Sequence, residues 1–150
     1  MKVLLDTNVV VDVLQGRDPW CEPGKKIFLA AAQKEIIGCI TAKEATDIHY
    51  FSRKQFKGEE NVDEKARQIL TKLFSLFEVI DTLEADCKNA MAISNNDYED
   101  AVMIACAMRE GIDCIVTRNA EHFKMSPIKI YTPDEFVGYL GSQKQENKKA

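Results

Sequence analysis

The feature that most constrains the fold is a series of five short, mostly apolar runs separated by longer segments of helical character. The runs are "KVLL" at 2–5, "EIIGCI" at 35–40, "FEVID" at 77–81, residues 112–116 within "GIDCIVT", and "IKIY" at 128–131. Short runs without strict alternation are typical of strands buried on both faces of a sheet. Their alternation with helices predicts a doubly wound three-layer α/β/α fold with a central, mainly parallel sheet of about five strands.

The intervening segments predict helices at 8–15, 22–35, 42–56, 61–77, 83–94, 101–108 and 133–140. Thr41 and Glu44 have the T-x-x-E spacing of a capping box, which favours a helix start at that point. The β-branched stretch "VVVDVL" at 9–14 also suits a strand, but a helix would carry the chain back across the sheet. "SNNDYED" at 94–100 is predicted to be a polar turn.

We find no repeat or domain boundary, so residues 1–140 are predicted to form one domain. The final segment "GSQKQENKKA" is polar and lacks apolar periodicity, which predicts a disordered tail at 141–150. No apolar run approaches the ~20 residues of a membrane helix. The first residues are too few in apolar positions for a signal peptide, so we expect a cytoplasmic protein.

The charge and the cysteines narrow the possible functions. A net charge of −4 argues against a protein that simply coats nucleic acid. It leaves open a nucleic-acid site in which metal ions lie between carboxylates and phosphates. The five cysteines are odd in number and lack C-x-x-C spacing, which argues against a disulfide framework or a zinc site. Cys39, Cys106 and Cys114 lie in apolar segments and are predicted core residues.

Acidic and amide side chains lie where predicted strands end and, for Asp97 and Asp100, just before the predicted helix at 101–108. The candidates are Asp6, Glu44, Asp97, Asp100 and Asn119. Ligands of parallel α/β sheets gather at the carboxyl ends of the strands. Oxygen ligands without His or Cys suit Mg²⁺ or Mn²⁺, which can lower the pKa of a water and offset charge on a phosphate. The set therefore predicts metal-assisted hydrolysis of a phosphodiester.

Each candidate also has a structural interpretation. Caps of helices or short turns would account for Asp6, Glu44, Asp97 and Asn119. Asp100 directly precedes the buried stretch at 101–108, where an unpaired carboxylate is costly, and this argues against a purely structural role. His49 and His122 are interpreted as surface or supporting groups rather than as ligands.

Four stretches together resemble the PIN-domain family. They are "LLDTNVVVDVL" at 4–14, "ITAKEATDI" at 40–48, "DYEDAVMIACAMREGIDCIVTRN" at 97–119 and "EHF" at 121–123. The resemblance implies a doubly wound α/β fold and a Mg²⁺- or Mn²⁺-dependent ribonuclease. Small single-domain prokaryotic members of the family are VapC-like toxins of toxin–antitoxin pairs, and this chain has that size.

The resemblance also implies which residues form the site. The catalytic and metal-binding positions would be Asp6, Glu44 and Asp100. Asn8 matches the asparagine that helps to hold the first Asp. The fourth acidic position falls near Asn119, an amide that offers a carbonyl ligand but carries no charge. Asp97 or Glu121 would compensate for that loss.

Several residues are candidates for contact with RNA. Thr117 and Arg118 suit a phosphate through a hydroxyl and a guanidinium, although Arg118 equally suits an ion pair with an Asp of the same site. The segment "RKQFK" suits backbone contacts and base stacking through Arg53, Lys54, Phe56 and Lys57. An ordinary solvated helix end has the same composition.

The resemblance further implies a protein partner. The family's toxins are inhibited by an antitoxin that covers the acidic groove, often with a basic side chain, and a homodimer is expected. The apolar residues for these contacts would be Ile48, Phe51, Phe56, Leu70, Phe74 and Phe77, although their composition favours core filling for most of them.

Two other functions compete with the ribonuclease. Asn119 favours a catalytically degenerate PIN-fold module that binds RNA or a protein partner without cleavage. Phosphoryl transfer through an aspartyl intermediate at Asp6 would want a second Asp two residues later, where this chain has Asn8. No phosphate-binding glycine loop of either common type occurs in the sequence.

Overall fold

The computed structural model describes residues 1–94 and 97–150. The strands are β1 (Lys2–Leu5), β2 (Ile37–Thr41), β3 (Glu78–Ile80), β4 (Cys114–Val116) and β5 (Lys129–Tyr131). The α-helices are α1 (Thr7–Leu14), α2 (Cys21–Ala32), α3 (Ala42–Gln55), α4 (Val62–Leu76), α5 (Glu84–Ala90), α6 (Tyr98–Arg109) and α7 (Pro133–Lys149), and a 3-10 helix covers Ala120–Phe123.

The five strands form one parallel sheet in the order β3-β2-β1-β4-β5. β1 is central and pairs with β2 on one side and β4 on the other. The chain leaves β1 toward one edge of the sheet and later returns to the other edge, so the strand order reverses at β1. The predicted doubly wound α/β/α fold is therefore confirmed, and a crevice for ligands is expected beyond the carboxyl end of β1.

The two faces of the sheet belong to two separate apolar clusters. Val3 and Leu5 of β1 join the cluster that includes residues of α1, α2, α3 and α7. Leu4 joins the cluster built mainly on α6, with Cys39 and Ile115 from the neighbouring strands. Successive side chains of a strand point to opposite faces, so β1 is buried on both faces from Val3 to Leu5, and this packing holds its carboxyl end in place.

Most predicted elements are present with shifted ends. The stretch at 9–14 is helical, as expected, because Asp6 caps α1 by accepting a hydrogen bond from the Thr7 amide. α5 ends at Ala90 rather than at residue 94. The predicted polar turn at 94–100 includes Asn95 and Asn96, which lie outside the described residues, and from Tyr98 onward it is the first turn of α6.

The segment from residue 141, for which the sequence predicted a disordered tail, is the second half of α7 in the structure. α7 begins with Pro133 and a capping box between Thr132 and Glu135, and it continues to Lys149. An ion pair of 3.1 Å joins Lys144 Nζ to Glu35 Oε2 and ties the second half of the helix to the segment before β2. A contact with a distant part of the chain thus supports a helix that lacks an apolar face there.

The three cysteines of the apolar segments are core residues, as predicted. Cys39, Cys106 and Cys114 are buried free thiols in the core. Among the described residues, no helix has the length and apolar composition that a membrane crossing requires.

Candidate active site

A cavity of about 450 Å³ lies at the carboxyl ends of β1 and β2, against the start of α6. Its acidic lining residues are Asp6, Glu44, Asp47, Asp97, Glu99 and Asp100. The basic or titratable nitrogen groups in the same lining are Arg17, Lys43 and His122. The acidic side chains outnumber the basic ones, so the lining favours a cation.

Asp6 follows directly after β1 and is held from two sides. Its Oδ1 accepts a hydrogen bond from the Thr7 amide at 2.7 Å, and its Oδ2 accepts one from the Thr117 hydroxyl at 2.7 Å. The side chain is buried, and burial raises the pKa of this carboxyl above its ordinary value. Asp6 is therefore both the cap of α1 and a wall of the cavity, so the two interpretations of this residue do not exclude each other.

Glu44 also combines a cap with a position in the cavity. Its Oε1 accepts from the Thr41 amide at 2.9 Å, and its own amide donates to the Thr41 hydroxyl at 3.1 Å, which completes the predicted capping box. The Thr7 hydroxyl donates to Oε2 at 3.4 Å. Burial, followed by the charge of Asp6, raises the pKa of Glu44 well above its ordinary value.

Asp100 lies in the first turn of α6, and its pKa is raised to about 6. The largest cause is burial, followed by the charges of Asp6 and Asp97. Asp97 caps α6 by accepting from the amides of Glu99 at 2.9 Å and Asp100 at 3.4 Å. Burial and, after it, the charges of the neighbouring carboxylates thus both disfavour the ionised form of Asp100 in the absence of a cation.

His122 is a residue of this site that the sequence did not assign as a ligand. Its Nδ1 lies 3.4 Å from Asp100 Oδ2, and candidate ligand atoms of Asp97, Asp100 and His122 lie within 4.8 Å of one another. Within residues 1–94 and 97–150, this is the only group of three or more His, Cys, Asp or Glu residues whose candidate ligand atoms lie that close together. The signal in the sequence was the position of His122 in "EHF", directly after the candidate ligand Asn119 and its neighbour Ala120.

The donor set fits a hard divalent cation. Asp6, Glu44 and Asp100 offer carboxylate oxygens, and the cavity lining adds Asp97 and the amide oxygen of Asn119. Oxygen donors of this kind bind Mg²⁺ or Mn²⁺, whereas the imidazole of His122 suits a transition metal better than Mg²⁺. A cation among these groups would offset both the burial and the like charges that raise the pKa of Glu44 and Asp100.

The supporting residues lie in the loop after β4 and in α1. Thr117 is fully buried, so its hydroxyl supports Asp6 and does not face a phosphate. The Arg118 amide donates to Asn8 Oδ1 at 3.4 Å, so Asn8 fastens this loop to α1, while the direct partners of Asp6 are Thr7 and Thr117. Asn119 lines the cavity without capping the 3-10 helix through its side chain.

The sequence left Arg118 either as a phosphate contact or as the partner of an Asp in the same site. Its side chain forms an ion pair, but with an Asp that lies outside the cavity lining. Its Nε lies 2.6 Å from Oδ2 of the buried Asp12 on α1, and its guanidinium stacks on Trp20 at 4.1 Å from the ring centroid. Glu121 is also outside the cavity lining. Its side chain is exposed and forms an ion pair with Lys124.

The predicted RNA and partner contacts are distributed unevenly. Arg53, Lys54 and Lys57 are exposed at the end of α3, whereas Phe56 is half-buried at its C-cap. Among the apolar residues proposed for partner contacts, Ile48 and Phe77 belong to the core, whereas Phe74 is largely exposed.

Comparison with known proteins agrees with the parallel α/β fold. The family profile described as PIN domain matches residues 2–121. The chain therefore belongs to the PIN-domain family. No curated protein matched the sequence.

Several solved structures share the fold at low sequence identity. A chain of VapBC2 from Rickettsia felis, bound to a DNA fragment of its promoter, has a TM-score of 0.65 and 19% identity, covering 88% of this chain and 98% of its own. A chain of DNA-bound VapBC from Salmonella typhimurium has a TM-score of 0.63 and 19% identity, covering 89% and 98%. VapC20 from Mycobacterium tuberculosis, a toxin that cleaves the sarcin–ricin loop, has a TM-score of 0.56 and 13% identity, covering 75% and 86%.

Proposed function

We propose that this protein is a Mg²⁺- or Mn²⁺-dependent ribonuclease that hydrolyses RNA phosphodiester bonds as the cytoplasmic toxin of a type II toxin–antitoxin pair. The observation that carries the proposal is the meeting of Asp6, Glu44 and Asp100, from three separate segments, around one cavity at the carboxyl end of β1. Membership of the PIN-domain family and a fold shared with VapBC proteins and VapC20 support it.

The proposed catalytic residues would hold the metal ion with the help of Asn119. A bound divalent ion supplies Lewis-acid chemistry, which lowers the pKa of a water and offsets charge on phosphate oxygens. Asp6 keeps its carboxylate fixed because Thr7 and Thr117 occupy one lone pair on each oxygen. The Thr41 amide orients Glu44 in the same way.

The proposed partners are an antitoxin and a second copy of the chain. The acidic lining of the cavity would attract a basic side chain of the antitoxin in the place of the metal ion. Solved structures with this fold include complexes described as VapBC and as a toxin–antitoxin complex from Klebsiella pneumoniae. The exposed Phe74 of α4 is a candidate contact for the homodimer.

Metal binding and RNA cleavage by the purified protein test this proposal. We expect calorimetric titration to detect binding of Mn²⁺ and labelled RNA to be cut only when Mg²⁺ or Mn²⁺ is present. Asn119 favours a second function, a module that binds RNA or protein without cleaving it. RNA binding without metal binding or cleavage would support that second function and contradict the first.

Neutralising Asp100 should stabilise the metal-free protein near pH 7. Because the folded-state pKa of Asp100 is raised to about 6, its charge costs stability above that pH, and this cost is relieved as the pH falls from about 7 toward the unfolded-state value of about 4. We expect Asp100→Asn to raise the melting temperature by about 5 °C near neutral pH. The difference from wild type should shrink on acidification.

Thermal unfolding with and without Mn²⁺ measures this effect. Added Mn²⁺ should raise the melting temperature of wild type and have a much smaller effect on Asp100→Asn. Glu146→Gln, which neutralises an exposed carboxylate near the end of α7, serves as the control and should behave like wild type. An Asp100→Asn protein that is less stable than wild type without metal would refute the prediction.

A further inference from the structure

The acidic cavity continues along α3 into two neighbouring cavities. It shares Tyr50 with a cavity lined by Arg53, Lys54 and Lys57. It shares Arg17 and Phe51 with another cavity that is also lined by Lys54. These shared walls make one continuous surface from the acidic cavity to the end of α3. We call it the α3 groove, formed by Arg17, Tyr50, Phe51, Arg53, Lys54 and Lys57.

Tyr50 lies where the acidic and the basic parts of the α3 groove meet. Its side chain is 56% exposed, although the Phe51 ring packs against it edge-on at 5.7 Å between centroids. Lys54 Nζ lies 5.2 Å from the centroid of the Tyr50 ring. The contact with Phe51 restricts the ring, and the large exposed fraction leaves ring surface available for a flat apolar partner.

The basic end of the groove carries charges without acidic partners. Arg53, Lys54 and Lys57 are exposed, and none of them forms an ion pair within the described part of the chain. Positive charge at a helix end is favourable by itself. That effect does not account for an exposed aromatic ring between these cations and the acidic cavity.

We propose that the α3 groove binds single-stranded RNA next to the bond that is cut, with one base stacked on Tyr50. The inference rests on the proposed ribonuclease function, because a polymer cut in the acidic cavity must continue out of it. Arg53, Lys54 and Lys57 contact the phosphates, and Tyr50 contacts an unpaired base. Aromatic rings beside cations bind single strands in this way, whereas bases of a duplex are not free to stack on protein.

The sequence offered Phe56 as a candidate for base stacking, beside the alternative of an ordinary solvated helix end, and the structure favours a different ring. Phe56 lies among the same cations in "RKQFK", but it is half-buried and lies outside the lining of the three cavities. Lys65, from α4, lies 5.9 Å from the centroid of its ring. Phe56 therefore packs at the end of α3, and Tyr50 is the ring that faces the groove.

Fluorescence titration with a short single-stranded RNA that contains a fluorescent adenine analogue tests the inference. EDTA is present throughout, so that the RNA stays intact. Wild type should bind and quench the analogue, because stacking quenches such bases. Tyr50→Ala should bind about tenfold more weakly or worse and lose the quenching, whereas Tyr50→Phe should retain both. Because Tyr50 is exposed, the fold should survive the change.

Two further variants separate stacking from charge and from general apolar exposure. Lys57→Gln should keep the quenching and reduce the slope of log affinity against log salt by about 0.7, the value for one phosphate contact on a single strand. Leu29→Ala removes an apolar side chain of similar exposure on α2 and should bind RNA like wild type.

The outcomes distinguish this inference from the proposed function. If wild type binds and cuts RNA while Tyr50→Ala binds and quenches as wild type does, the ribonuclease stands and the stacking role of Tyr50 is refuted. The same result would leave the α3 groove to a protein partner. If wild type does not bind RNA in EDTA, the inference fails; if it also leaves RNA uncut when Mg²⁺ or Mn²⁺ is present, the ribonuclease proposal fails as well.

Discussion

Replacing Asp6 by asparagine is expected to reduce RNA cleavage by about a thousandfold or more, which is the scale of losing one preorganised charged group in an active site. Asparagine keeps an oxygen that can accept from the Thr7 amide and cap α1, and its amide nitrogen can donate to the Thr117 hydroxyl oxygen, but it removes the negative charge proposed to hold the metal ion. Burial raises the pKa of Asp6, so loss of its charge should not destabilise the metal-free fold. The initial cleavage rate and the melting temperature measure the two effects separately.

Asp113→Asn is the matched control for this experiment. Asp113 lies just before β4, at the opposite end of the sheet, and its Oδ2 accepts from the Lys2 amide at 2.7 Å. We expect this variant to cleave RNA at the wild-type rate. Undiminished Mn²⁺-dependent cleavage by Asp6→Asn would contradict the proposed site, even if the family assignment stands.

Replacing Asp86 by alanine is expected to lower the free energy of unfolding by about 3 kcal/mol, the typical cost of breaking a buried ion pair by removing one partner. The Asp86 side chain is 1% exposed and accepts from Arg109 Nε and Nη2, both at 2.9 Å. It also accepts from the Leu83 amide at 2.8 Å. The change would therefore leave the Arg109 charge without its main partner and α5 without this cap.

Urea unfolding measures this loss, with Glu84→Ala as the matched control on the same helix. Glu84 is 80% exposed and pairs only at the surface with Lys88, so we expect a change below about 1 kcal/mol. Hydrogen bonds from Arg109 hold the pKa of Asp86 below its ordinary value. Its contribution is therefore complete at neutral pH and is lost as the pH falls below the unfolded-state value of about 4. Equal stability of the two variants near neutral pH would count against the buried pair.

Much of the fold was predictable because the information is local. Apolar runs of strand length, the Thr41–Glu44 capping box and the apolar stretch at 101–108 each act over a few residues, and alternation of strands and helices implies a parallel sheet. The positions of Asp6, Glu44 and Asp100 followed from the rule that loops at the carboxyl ends of the strands converge.

The features that escaped prediction depend on contacts between distant parts of the chain. The Arg118–Asp12 pair spans 106 residues, and nothing in either segment specifies the other. The polar end of α7 lacks a helical apolar pattern, but the bond between Lys144 and Glu35 holds it to the fold. His122 reaches Asp100 only because the 3-10 helix after β4 turns toward α6.

The double role of Asp6 and Glu44 limits how their function can be dissected. Each carboxylate accepts a bond from the backbone at the start of its own helix, so its position is tied to the register of that helix. A slip of α3 by one residue would rotate Glu44 by about 100° away from the cavity. Truncation to alanine would thus confound chemistry with misfolding, and only substitutions that preserve the shape of the side chain can separate a dead enzyme from a damaged one.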